Sequence, residues 1–168
     1  MALGQTVDID RMGTPYCAHT GKPIVRQQSL DDCMACSLAM FGGRTYEELT
    51  AAAQAIQPDY TPGGFMSHSL LRRIAHNWGM PLVSSIYMDW RYPGIVGVIS
   101  KTIENCGHAL FWDGEQLIDP GVSATYDLDY VTSHGIEFSQ RAIDVAAVVD
   151  FARQLAPATA AATPQEFF

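Results

Sequence analysis

The stretch Gln27–Met40, QQSLDDCMACSLAM, sets a cysteine at the border between a polar run and an apolar one. Ser29 to Asp32 supply side-chain oxygens suited to an N-cap, and Gly42-Gly43 closes the apolar segment, so the pattern predicts a buried helix of about ten residues from near Asp32. Cys33 then lies in its first turn. There the unpaired backbone N–H groups carry partial positive charge, which favours a thiolate and can also steady an oxyanion. The neighbouring carboxylates of Asp31 and Asp32 act against a thiolate. A nucleophilic cysteine in this place therefore needs a cationic partner, normally a histidine.

Downstream, Thr45 and Glu48 fit a capping box, predicting a second helix to about Ile56. Phe65, Leu70, Leu71, Ile74 and Trp78 predict a third, stopped by Gly79 and Pro81. The period then changes. LVSSIYM (82–88) and GIVGVIS (94–100) read as strands, and HALFW, Asp113-Gly114 and EQLID read as a hairpin. Residues 121–135 read as loop, and the alternation Ile143, Val145, Ala147, Val149 leans to a strand. Helices first and strands after predict an α+β domain. Residues 1–22 are expected to form an arm, 23–153 the domain, and 154–168, rich in Ala, Pro and Thr, a flexible extension open to a protein partner.

Of five histidines, His108 opens the hairpin, next to Gly107. A two-residue turn at Asp113-Gly114 would pair His108 with residue 119, bringing the Asp119 carboxylate beside the imidazole. Cys33, His108 and Asp119 then follow the nucleophile, base and orienter logic of a triad.

Those residues resemble a family. Gln27, then Asp32-Cys33, Cys36 and Leu38-Ala39-Met40, followed by Gly107-His108 and Asp119-Pro120, look like the papain-like cysteine peptidases, nearest to the bacteriocin-processing peptidases and their wider group. The segments occur in the family's order over roughly residues 24–121. The resemblance implies a papain-like fold, with N-terminal helices packed on an antiparallel sheet. It implies cleavage of a peptide or related amide bond in a peptide or protein substrate, with Gln27 joining the oxyanion hole and no cofactor or metal. Met34 stands where these peptidases usually carry Gly, which narrows the channel expected for a Gly-Gly leader. The alternative is a catalytically silent binding or structural module on the same scaffold, for example a phage virion or assembly component.

Other readings of the cysteines stay open. Cys33 suits a buried small hydrophobe, and Cys36, one turn on, suits a structural core position. Cys33-x-x-Cys36 has redox spacing but lacks the preceding parallel strand of a thioredoxin-like unit. Cys17, His19, Cys33 and Cys36 are zinc-type ligands without a ribbon pattern. His68 and His76 suit helix ends, His134 gives no signal, and Trp112 suits the core.

Composition limits the partners. The 168 residues are 48% hydrophobic and 17% charged, with ten basic against eighteen acidic residues and net charge −8, a globular balance. No clustered Lys or Arg offers a nucleic-acid surface. No apolar run nears the roughly twenty residues of a membrane helix, and MALGQTVDIDRMG lacks a secretory pattern. Four cysteines, at 17, 33, 36 and 106, are too few and irregular for a disulfide scaffold. The expectation is a cytoplasmic protein, with the virion as the alternative location.

Overall fold

The computed structural model describes residues 16–80, 82–84, 90–100, 106–121, 124–126 and 138–145. Among the described residues three helices come first: α1 (Cys33–Phe41), α2 (Tyr46–Ile56) and α3 (His68–Asn77). Six short strands follow: β1 (Val83–Ser84), β2 (Gly94–Ile99), β3 (Gly107–Trp112), β4 (Leu117–Asp119), β5 (Ala124–Tyr126) and β6 (Phe138–Val145). Among the described residues the strands form one antiparallel sheet in the order β1-β6-β2-β3-β4-β5. The class is α+β.

Helix α1 is apolar on every side, and Ala35 to Phe41 are all buried, as a helix enclosed by its own domain must be. It lies between the sheet, mainly β3, and the other two helices. Ala35, Leu38 and Ala39 pack with Leu49 of α2, with Leu71 and Ile74 of α3, and with Ile95 and Ala109 of the sheet. Met40 and Phe41 join Phe111 and Ile118 in a second cluster. Helix α2 begins with the expected capping box, in which the Glu48 N–H donates to Thr45 Oγ1 (3.2 Å) and the Thr45 N–H to Glu48 Oε2 (2.8 Å). Helix α3 buries Leu70, Leu71 and Ile74 as expected. Phe65 lies before it, 74% exposed, so its apolar character does not mark the helix's inner stripe.

Alternation sorts the sheet into two faces. Ile95, Ala109, Phe111 and Ile118 meet the helices. Val96, Val98, Leu110, Trp112 and Leu117 form a separate cluster on the other face, joined by Trp90. The Trp112 indole N–H donates to the Trp90 carbonyl (2.9 Å), and the two rings meet edge to face at 5.2 Å, which places Trp112 in the core.

Three boundaries differ from expectation. Residues 16–22, assigned to an arm, fold onto the domain: Cys17 is buried with Met40, Phe41 and Phe111, and the Ala18 N–H donates to Asp113 Oδ2 (2.8 Å). Within residues 121–135, read as loop, Ala124–Tyr126 form β5 against β4. The strand read from Ile143 starts earlier, at Phe138, and is described to Val145. The tail 154–168, most of the arm and His134 lie outside the described residues.

Candidate functional site

Cys33 is the first residue of α1 and is half-buried. Asp32 precedes it as N-cap residue, but its side chain makes no cap hydrogen bond. The carboxyl turns back and, fully buried, accepts from the Gln28 N–H (3.1 Å), the Ser29 N–H (3.4 Å) and the Tyr46 hydroxyl (2.8 Å). The Tyr46 phenol is held above its ordinary range first by burial and then by this hydrogen bond. Asp32 thus ties the loop leading into α1 to the start of α2. The Ser29 hydroxyl adds a tie to the Gly63 carbonyl.

His108 and Asp119 meet through Nε2 and Oδ1 at 2.8 Å. Their side chains are only 19% and 15% exposed, so water screens the pair weakly. Burial is the largest single influence on the imidazole and lowers its pKa. Hydrogen bonds to Asp119 and Cys33, together with their charges, outweigh burial and raise His108 from 6.5 to about 9. His108 is therefore cationic at neutral pH, with Cys33 and Asp119 as its two partners.

The route to this contact differs from the expected one. Pairing Phe111 with Ile118 and Trp112 with Leu117 leaves four residues, Asp113–Gln116, in the turn. Asp113 closes it by accepting the Glu115 and Gln116 N–H groups (2.9 and 2.8 Å). Continued, that register sets Asp119 across from Leu110, two residues from the His108 pairing drawn from a two-residue turn. A shift of two keeps the same face of the sheet, so Asp119 reaches His108 diagonally.

Gln27 is brought to the same place. Its backbone N–H donates to the Pro120 carbonyl (3.0 Å), next to Asp119, and its side-chain amide donates one hydrogen to the Ser29 carbonyl (2.9 Å). A carboxamide nitrogen carries two hydrogens, which leaves one for another acceptor. The Gly121 N–H donates to Asp119 Oδ1 (2.8 Å), the oxygen that holds His108.

The other cysteines stand apart. Cys36 is buried in α1 and its thiol is pushed well up, first by burial. Burial also raises Cys17 to about 11. Cys106 is exposed. Among the described residues no three His, Cys, Asp or Glu side chains converge as a metal site, so Cys17, His19, Cys33 and Cys36 do not form the four-ligand group that their residue types allowed. His68 is the first residue of α3 and His76 is in its last turn.

Gln27, Cys33, His108 and Asp119 thus gather at one end of α1. Ser29 and Pro120 support them, as do Tyr46 and Gly121, which were not singled out from sequence. Pro120-Gly121 follows the quoted aspartate directly, whereas Tyr46 gives no sequence signal beyond its place after a cap. No family model, curated protein or solved structure matches the chain. No described helix is long and apolar enough to cross a membrane.

Proposed function

We propose that the protein is a cysteine hydrolase of papain-like type, cleaving a peptide or related amide bond. The observation that carries this reading is the His108–Asp119 contact, Nε2 to Oδ1 at 2.8 Å, with Cys33 at the head of a buried helix acting on the same imidazole. A thiol, an imidazole and a carboxylate in that order are the parts of nucleophilic acyl transfer.

In this reading the Cys33 sulfur, its proton already held by the cationic His108, attacks the substrate carbonyl carbon as a thiolate. The oxyanion is met by the Cys33 backbone N–H, which has no acceptor inside the helix, and by the second hydrogen of the Gln27 amide. His108 then protonates the leaving nitrogen as the carbon–nitrogen bond breaks, leaving a thioester. Neutral His108 next takes a proton from water, whose oxygen attacks the thioester, and keeps it as the sulfur departs as a thiolate. Asp119 keeps the ring oriented throughout.

The test is turnover of a broad panel of peptide, isopeptide and simple amide substrates by wild type, Cys33→Ala and His108→Ala. Cys33→Ala is expected to abolish turnover and His108→Ala to lower it by about 10²–10⁴-fold. Wild type that turns over nothing, or Cys33→Ala that retains activity, would overturn the reading.

A further inference from the structure

We propose that Gly121 is a positioning residue of this site, its missing side chain reserving the space in which the Gln27 carboxamide lies beside His108 and Asp119. The inference rests on the hydrolase reading above.

A Cβ built on Gly121 would lie 2.6 Å from Gln27 Oε1, 3.2 Å from Asp119 Oδ1 and 3.5 Å from His108 Cε1. Three of the four candidate residues therefore surround one methyl-sized position. The first distance is shorter than real contacts allow, so Gln27 would have to move. The clashing oxygen is the end of the Gln27 side chain, whose amide donates to Ser29 O, so the shift re-aims that amide.

Backbone conformation does not account for glycine here. Gly79 and Gly114 have φ of +74° and +103° and open space where a Cβ would sit, so chain direction explains them. Gly121 has a φ outside the left-handed region. It differs from them in having the site itself against its α-carbon. Gly121 also donates its N–H to Asp119 Oδ1, so one residue fixes the carboxylate through its backbone and admits Gln27 through its lack of a side chain.

The consequence separates two reactions of the same sulfur. Alkylation of Cys33 by iodoacetamide displaces iodide at a saturated carbon and forms no oxyanion, so Gln27 is not needed. Amide turnover forms one. Gly121→Ala is expected to lower kcat by about 10²-fold, the scale of a lost oxyanion donor, with KM and the Cys33 alkylation rate within about threefold of wild type. Gln27→Ala should reproduce this split. In the Gln27→Ala background, adding Gly121→Ala should cost almost nothing further, since the group it displaces is gone. A thermal unfolding midpoint close to wild type verifies that the variants fold.

Full turnover in Gly121→Ala, or an equal penalty from Gly121→Ala with and without Gln27, would overturn the proposal while leaving the hydrolase reading in place. Parallel loss of alkylation and turnover would also overturn it, because general distortion of the site would then be the cause. Wild type without turnover would remove both readings.

Discussion

His108 Nε2 and Asp119 Oδ1 are 2.8 Å apart although the two residues are not cross-strand partners. The contact crosses the hairpin diagonally, on a face where aspartate would otherwise be next to Leu110. A carboxylate placed so, four-fifths or more shielded from water, sets the charge state of the imidazole rather than decorating the surface.

The pH dependence follows from that contact. The His108 pKa is raised from 6.5 to about 9, so what its protonation adds to folding stability is fully present below about pH 6.5. It is lost as the pH rises through about 9. Titration of the His108 ring protons by NMR should show a midpoint near 9. Asp119→Asn removes the charge and should move that midpoint down toward 6.5, with the alkaline limb of turnover moving in the same direction. An unmoved midpoint in Asp119→Asn would show that aspartate is not the source of the shift.

The Asp32 carboxyl makes a second testable contribution. It receives two backbone N–H groups and the Tyr46 hydroxyl with no exposure to water. Tyr46→Phe removes one donor and should cost about 1 kcal/mol. Asp32→Ala strands three donors and should cost about 3 kcal/mol or more. Urea unfolding midpoints measure both. Equal stability of Asp32→Ala and wild type would mean that the loop before Cys33 is held by something else.

Asp113 joins the hairpin turn to the segment around Cys17. Its carboxylate is buried and accepts from Ala18, Glu115 and Gln116 N–H groups. Asp113→Ala should destabilise the protein by about 2–3 kcal/mol and release residues 16–22. The sensitive readout is Cys17, buried in wild type, which should become reactive to an aromatic disulfide reagent. Continued protection of Cys17 in the variant would contradict the tie.

Much of this arrangement is legible in the sequence. The capping box at Thr45 and Glu48 is a local rule with local partners, and it fixes the start of α2 without tertiary help. Cys33 at a helix head follows equally from nearby polar oxygens and an apolar run. What the sequence does not show depends on partners distant in the chain. Phe65 reads as core by type, yet it is in a loop and faces water. Asp32 reads as a cap and is drawn away by Tyr46, fourteen residues on. The hairpin register differs by two from that of a two-residue turn, since four residues lie in the turn and Asp113 accepts two of their N–H groups. Since two is the period of a strand, His108 and Asp119 meet in either register.

The most direct measurement of the central claim is competition among the four free thiols. Native protein is treated with substoichiometric iodoacetamide at neutral pH, and the label is located by mass spectrometry. Exposure alone favours Cys106, which faces solvent, over the half-buried Cys33. If His108 activates the sulfur, Cys33 takes the label first, and His108→Ala hands that priority to Cys106. Labelling led by Cys106 in wild type, with Cys33 indifferent to His108, would contradict the account.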